Sequence, residues 1–121
     1  MYNILFVGEK VNRRKSNIPF DRRMGCGKFL HEAIYYLENN PWISVDFDNT
    51  FKNNRLNKCL LIRQYDYNRV IALGRIAYKE LNKLGVNCKY IPHPAFFKRF
   101  HSKEGINGYS QLILEEIFNG K

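Results

Sequence analysis

The chain has 121 residues, with twenty Lys and Arg against eleven Asp and Glu, which gives a formal charge of +9 at pH 7. This length predicts a single domain over residues 1–121 and leaves no room within it for a second catalytic domain. Hydrophobic residues make up 45% of the chain and aromatic residues 15%, which favours a packed core over a disordered chain. The excess of positive charge indicates an anionic partner.

Cysteine usage and the first apolar run bear on the cellular compartment. Cys26, Cys59 and Cys88 form no C-x-x-C pair, so they predict neither a disulfide framework nor a zinc site. We therefore expect reduced thiols, no metal and no cofactor. The apolar run at residues 2–7 is too short for a signal peptide or a spanning helix. We expect an intracellular, cytoplasmic protein with no membrane partner.

Four strands are predicted. Residues 4–7 and 70–73 are continuous apolar runs, each stopped by glycine, as in strands buried on both faces of a parallel sheet. Residues 44–49 and 86–90 alternate apolar and polar side chains, as half-buried strands do. The two kinds of strand together predict a parallel sheet with covered faces.

Four helices are predicted between and after these strands. Apolar residues from Cys26 to Leu37 recur at helical spacing, and Gly85 stands where a helix over residues 76–84 would end. The other two predicted helices are residues 56–66 and 109–117. Alternation of strands with helices predicts an α/β fold, a three-layer α/β/α arrangement with a four-stranded parallel sheet.

Polar residues follow each predicted strand. Glu9, Asn49, Arg75 and His93 come directly after, or close to, the end of a strand. In open parallel sheets, ligands bind outside the carboxyl ends of the strands. The sequence therefore predicts a site where a carboxylate, an amide, a guanidinium and an imidazole meet.

Motifs for binding nucleotide phosphates are missing. The segment at residues 24–28 contains Gly-Cys-Gly-Lys, but it lacks the first glycine of a phosphate-binding loop and the Ser or Thr after its lysine. No G-x-G-x-x-G follows a predicted strand. A nucleotide-handling enzyme of general Rossmann-like architecture is therefore disfavoured, although the fold class alone allows it.

Two segments at strand ends have a distinctive order of residues. The first is Gly8-Glu9-Lys10-Val11-Asn12, followed by Ile18-Pro19-Phe20 and a helix, and the second is His93-Pro94-Ala95-Phe96-Phe97-Lys98-Arg99. They resemble the two signature motifs of the uracil-DNA glycosylase superfamily, the first being similar to its thermophile-type (family 4) branch. Residues 48–55 resemble the strand end at which that family reads the base, and residues 70–85 resemble its unit of apolar strand, glycine and helix. The resemblance covers about Ile4 to Leu114.

The resemblance implies an activity and residues that perform it. It implies a uracil-DNA glycosylase-like fold and hydrolysis of the N-glycosidic bond of uracil or another modified base flipped from DNA. His93 would donate to the base carbonyl as negative charge develops there, and Glu9 would orient water or stabilise the sugar cation. Asn49 would bond the edge of the base and Phe20 would stack on its face.

Further residues are implied to bind substrate or DNA. Lys10-Val11-Asn12 stands where the thermophile-type branch has Ala-Pro-Gly, so Asn12 is a further candidate for binding the substrate. The four cysteines that hold an iron–sulfur cluster in that branch are absent as a set, and we expect no cluster. Phe96 and Phe97, on a loop after His93, are candidate wedges. The candidate phosphate ligands are Arg13, Arg14, Lys15, Arg22, Arg23, Lys98 and Arg99.

Each candidate residue also has an ordinary structural interpretation. Glu9 could be a solvated loop acid, His93 could bond a backbone carbonyl, Phe20 could be core, and Asn49 could form an Asx turn. Two function classes therefore remain: a DNA glycosylase, and a catalytically inactive DNA-binding protein of the same fold. Either would be a monomer that binds single- or double-stranded DNA. The short chain resembles compact glycosylase-like proteins of phages, which would work in the host cytoplasm.

Overall fold

The computed structural model describes residues 1–10, 18–23, 25–101 and 103–119. Its strands are β1 (Tyr2–Gly8), β2 (Ile43–Asn49), β3 (Phe51–Lys52), β4 (Arg55–Leu56), β5 (Arg69–Leu73) and β6 (Lys89–Ile91). Its α-helices are α1 (Gly25–Ala33), α2 (Tyr35–Glu38), α3 (Leu60–Arg63), α4 (Arg75–Leu84), α5 (Pro94–Phe100) and α6 (Gly105–Leu114). A 3-10 turn, Gln64–Asp66, follows α3, and a π-helical turn, Glu115–Asn119, follows α6.

The main sheet has four parallel strands in the order β2-β1-β5-β6. Side chains alternate along the central strand β1, so Ile4 and Phe6 face one side of the sheet while Leu5 and Val7 face the other. All four are fully buried. The predicted α/β class and four-stranded parallel sheet are therefore confirmed.

Two hydrophobic clusters cover the two faces of this sheet. On the face of Phe6, the cluster contains residues from α1, α2, α5 and α6, with Leu30 and Tyr109 among the fully buried side chains. On the face of Val7, it contains Leu60 from α3 and Leu81 from α4. Helices thus flank both faces, as a parallel sheet buried on both sides requires. Among the described helices, none is long and apolar enough to cross a membrane.

Helix α4 ends where the sequence predicts. Gly85 has φ 94°, in the left-handed region that glycine adopts readily, and its N–H donates to the carbonyls of Leu81 and Asn82. The predicted helix over residues 26–37 is interrupted: α1 stops at Ala33 and α2 resumes at Tyr35. β-Branched Ile34 and the following tyrosines have low helix propensity, which fits a break at this point.

Two segments differ from the sequence prediction. The predicted helix over residues 56–66 is confined to α3 and its 3-10 turn, because residues 51–56 form the β3–β4 hairpin instead. Asn53 and Asn54 both have positive φ at its turn, the geometry of a type I′ hairpin. The predicted loop after His93 is helix α5, with Pro94 at its first position, where proline is well tolerated.

Candidate active site

A pocket opens at the carboxyl edge of the sheet, beside the central strands. The chain leaves β1 for β2 on one side and later returns through β5 on the other, so β1 and β5 flank the point where the strand order reverses. Ligands of open α/β sheets bind at such a point. The pocket measures about 410 Å³, within the usual range for small-molecule sites. It is lined by Glu9, Leu73, Gly74, Arg75, Ile76, Ala77, Tyr90, His93 and Phe96.

His93 has a defined orientation and protonation state in this pocket. It is the N-cap of α5, and its Nδ1 accepts a hydrogen bond of 3.1 Å from the backbone N–H of Ala95. Burial lowers the pKa of His93 below its ordinary value of 6.5, so the ring is neutral near pH 7. Because Nδ1 accepts, the single ring proton is assigned to Nε2. His93 is therefore a neutral hydrogen-bond donor through Nε2.

The backbone around His93 is fixed by two neighbouring elements. The hydroxyl of buried Tyr109 in α6 donates to the carbonyl of Pro92, at 2.6 Å. The N–H of Gly74 donates to the carbonyl of Ile91, at 2.9 Å. Gly74 has φ 100°, and a Cβ at this position would stand 3.2 Å from the Cβ of His93. Glycine is therefore required where β5 ends, and it lets the imidazole lie against that strand end.

Glu9 lies in the turn that follows β1, and backbone bonds hold this turn on both sides. The carbonyl of Gly8 accepts from the N–H and the hydroxyl of Thr50, each at 2.8 Å. The carbonyl of Glu9 itself accepts from the N–H of Phe51 at 2.8 Å. Its side chain is half-buried, and none of the described residues forms an ion pair or side-chain hydrogen bond with its carboxylate. Backbone bonds thus hold Glu9 where it lines the pocket.

Phe20 lies beside His93. Its ring centroid is 6.0 Å from that of His93 and 6.2 Å from that of Phe47. The ring also covers Gly8, where a Cβ would stand only 2.5 Å from Phe20 Cζ. Phe20 has φ 50°, an uncommon conformation for a bulky residue and one that is often concentrated at functional sites.

The strained backbone at Phe20 is held by helix α1. Nε2 of His31 lies 2.9 Å from the carbonyl oxygen of Phe20, and its Nδ1 lies 2.8 Å from Glu38. A Cβ on Gly27 would collide with the carbonyl of Asp21, so this glycine allows the segment to approach α1 closely. The backbone conformation of Phe20 is therefore held by contacts with α1 rather than by local preference.

Asn49 lies close to these residues but outside the pocket. It is 4% exposed, and its Oδ1 would stand 3.0 Å from a Cβ on Gly8, next to the ring of Phe20. Its N–H donates to Asp48, and its carbonyl accepts from the side chain of Asn57. The described residues that line the pocket do not include Asn49.

Helix α5 separates the two candidate wedge residues. Phe96 lines the pocket and is 49% exposed. Phe97 is 5% exposed and packs against Tyr109, with ring centroids 4.8 Å apart, and against His101. The prediction that Phe97 lies on a loop is wrong, because it lies in α5, which turns its ring into the core; its role as a wedge stays a prediction.

The candidate phosphate ligands fall into three groups. Lys98 and Arg99 are exposed in the last turn of α5. Arg22 and Arg23 are also exposed, but each forms an ion pair, with Glu38 at 2.9 Å and with Asp21 at 2.8 Å. The remaining predicted residues, Asn12, Arg13, Arg14 and Lys15, lie outside the described part of the chain.

Three residues of the site were not predicted from the sequence. Ile76 and Tyr90 form walls of the pocket, and Tyr109 holds the backbone before His93. In the sequence, Tyr90 is one member of a strand alternation and Tyr109 one apolar position of a helix. Neither pattern distinguishes them from ordinary core residues.

The pocket combines a carboxylate, a neutral donor, apolar walls and the exposed Arg75, whose guanidinium the sequence predicts at this edge. Glu9 can face a developing cation or a water, His93 can donate to a carbonyl oxygen, and Tyr90 and Phe96 offer aromatic surface. The structure thus combines an α/β fold with a pocket at the point where the strand order reverses. A scan against protein-family models and searches of curated proteins and of solved structures found no match for this chain.

Proposed function

We propose that this protein is a DNA glycosylase of the uracil-DNA glycosylase type, which hydrolyses the N-glycosidic bond of uracil or another modified base flipped out of DNA. One observation carries the proposal: Glu9, after β1, and His93, after β6, line the same pocket although they are far apart in the sequence. These are the two residues that the motif resemblance assigns to catalysis.

His93 would stabilise the departing base. Cleavage of the N-glycosidic bond moves negative charge onto the base as the sugar gains oxocarbenium character. A neutral imidazole with its proton on Nε2 can donate a hydrogen bond to the carbonyl oxygen of the base. The cap bond to Ala95 and the Tyr109 bond to Pro92 hold this donor in place before the substrate arrives, so little reorganisation is needed as charge develops.

Glu9 would act on the sugar side of the bond. Its carboxylate can stabilise the positive charge on the sugar electrostatically, or orient the water that attacks it. The proposal therefore gives the two residues opposite partners, the base for His93 and the sugar or water for Glu9.

The aromatic residues would hold the flipped base. A base outside the duplex loses its stacking at a cost of a few kcal/mol, which aromatic walls can partly offset. Tyr90 and Phe96 line the pocket, and the ring of Phe20 lies beside His93. Lys98 and Arg99 follow on α5 and would contact the phosphate backbone.

The test is base release from oligonucleotides that carry uracil, hypoxanthine, hydroxymethyluracil or another modified base, each in single- and double-stranded form. Alkali cleaves the strand wherever a base has been lost. We expect abasic sites from at least one of these bases and none from the matched oligonucleotide with normal bases. Glu9→Gln, prepared in parallel, excludes a contaminating glycosylase as the source of the product.

The alternative function is DNA binding without catalysis, and the position of Asn49 favours it. Asn49 is buried outside the pocket, whereas base reading would require contact with the edge of the base. An inactive protein would bind DNA but release no base. The logarithm of its DNA-binding constant would fall linearly with the logarithm of the salt concentration, because Lys and Arg side chains that contact phosphates displace the counterions of the DNA. That pair of results would replace the enzyme proposal with the binding one.

A further inference from the structure

We propose that the exposed face of α5 is a stacking platform for single-stranded DNA, made of Phe96, Arg99 and Phe100. The platform rests on the proposed function in one respect: it borders the pocket that would receive the flipped base. It adds to that function a preference for unpaired strands and names the residues that produce it.

The geometry of α5 places these three side chains together. Residues three and four positions apart share a helix face, so Arg99 and Phe100 lie on the face of Phe96. The rings of Phe96 and Phe100 have centroids 4.7 Å apart. Both rings are open to solvent, 49% exposed for Phe96 and 62% for Phe100. The buried residues Pro94 and Phe97 anchor the opposite face of the helix in the protein.

The platform is continuous with the pocket. Phe96 belongs to both, since it lines the pocket and also contacts Phe100. Exposed Ile76 lies in the same pocket wall and extends its apolar rim. A strand whose base enters the pocket would therefore bring its neighbouring base over the ring of Phe100.

Charge identifies the occupant as a nucleic acid strand rather than an apolar partner. Helix α5 carries Lys98 and Arg99 and no acidic residue, on a protein of net charge +9. The nearest acid beyond its end in the sequence is Glu104, whose carboxylate lies 3.7 Å from the ring of His101. Exposed aromatic rings interleaved with cations match the chemistry of single strands, whose bases stack on the rings while phosphates meet the cations.

The preference for unpaired strands follows from stacking itself. In a duplex, the faces of each base are already covered by the bases above and below, so an aromatic ring outside the helix finds no free face. In a single strand those faces are available, and each base stacked on an aromatic side chain contributes about 1–3 kcal/mol. The platform therefore strengthens single-strand binding and leaves duplex binding largely unchanged.

The test compares Phe100→Ala with wild type by fluorescence anisotropy, using unmodified oligothymidylate of about 12 nucleotides, within the usual site size of such proteins, and a duplex of equal length. Phe100 lies outside the proposed catalytic pocket and is exposed, so the variant should fold like wild type. Thermal unfolding of both proteins checks this. We expect Phe100→Ala to weaken single-strand binding about 5-fold or more, the lower end of the effect of one lost stacked base. Duplex affinity should change less than about 2-fold, by the same stacking argument.

Two control variants sharpen the result. Tyr65→Ala removes another exposed ring, 82% exposed in the 3-10 turn after α3, and should leave both affinities unchanged. Phe100→Tyr retains an aromatic face and should bind single strands like wild type. Equal weakening of single-strand and duplex binding by Phe100→Ala would overturn the platform, as would single-strand binding equal to that of wild type.

The outcomes separate this inference from the proposed activity. Anisotropy with unmodified DNA needs no base release, so loss of single-strand binding in Phe100→Ala supports the platform even if no oligonucleotide loses a base. Conversely, base release by wild type, together with unchanged single-strand binding in Phe100→Ala, would leave the glycosylase proposal standing and remove the platform.

Discussion

Two polar clusters occupy the same edge of the sheet and differ in the ion pairs that they form among the described residues. Near the end of β2, the side chain of Asp48 is 2% exposed and forms ion pairs with Arg63 and, at 3.0 Å, with Lys52. Arg63 also donates to the hydroxyl of Tyr67, which in turn donates to Asp46. After β1 and β6, Glu9 and His93 instead line an open pocket.

The difference indicates which cluster maintains the fold and which one is suited to a ligand. A buried carboxylate is stable only when cations and hydrogen-bond donors satisfy it, and Asp48 has both. Burial, with the Asp46 bond, raises the pKa of Tyr67, so its hydroxyl remains a donor over the physiological range. Glu9 is half-buried and lines the pocket, and it forms no such network with the residues that the structure describes. Equal positions at the sheet edge therefore do not imply equal roles.

The largest expected effect on stability comes from the paired cluster. Asp48→Ala leaves Arg63 without its counter-charge and the N–H of Asn49 without its acceptor, and loss of such charge-assisted hydrogen bonds costs about 2–3 kcal/mol in unfolding free energy. Urea unfolding followed by circular dichroism measures this loss. Lys52→Ala is the matched control, because Lys52 is 57% exposed and its loss should cost at most about 1 kcal/mol. Similar values for both variants would contradict a structural role specific to Asp48.

A smaller effect is expected where His93 caps α5. His93→Ala removes the acceptor of the Ala95 N–H, and loss of an N-cap costs about 1 kcal/mol. His93→Asn retains an acceptor that can cap the helix, so it should be more stable than His93→Ala by roughly that cap energy. The same urea experiment compares them. If the alanine variant is as stable as the asparagine variant, the cap bond does not contribute as we describe.

The pH dependence of stability should show the neutral state of His93. Its pKa is lowered in the folded protein, so the unfolded chain binds a proton that the folded chain does not. Above the ordinary pKa of 6.5, this difference in proton binding does not reduce the unfolding free energy. As pH falls through 6.5 toward the folded pKa, the unfolded chain takes up the proton first, and the unfolding free energy decreases. His93→Asn should show a smaller loss over this interval when unfolding is measured at several pH values. An equal loss in both proteins would contradict a depressed pKa for His93.

The sequence predicts the parallel sheet well because its signals are local. Apolar runs stopped by Gly8 and Gly74 mark strands buried on both faces, and β1 and β5 form as expected. The β3–β4 hairpin was not predicted because its strands of two residues are too short to show an alternation, and its Asn53-Asn54 turn lacks the glycine of the usual hairpin signal. Helix α5 was missed because Pro94 suggests a loop, while the cap that begins the helix is a histidine, an uncommon capping residue.

The sequence predicts which residues of the site follow the strands, but it does not predict which other residues form the walls of the pocket. That Glu9 and His93 share a sheet edge follows from parallel topology. That Phe97 is core while Phe96 is exposed depends on the rotation of α5, and Asn49 is buried outside the pocket, near the contact between Phe20 and Gly8. Such contacts are made between distant segments, and no local pattern encodes them.

The most direct test of the central claim is single-turnover base release by Glu9→Gln and His93→Asn, with Asp48→Asn as the comparison, each at a temperature where it is folded. The substrate is the modified oligonucleotide that wild type cleaves fastest. We predict that each pocket variant loses about 10²- to 10³-fold in rate, the usual effect of removing one group that stabilises transition-state charge. Asp48→Asn should retain a rate close to that of wild type. Rates for His93→Asn and Glu9→Gln similar to that of Asp48→Asn would contradict the assignment of catalysis to the pocket.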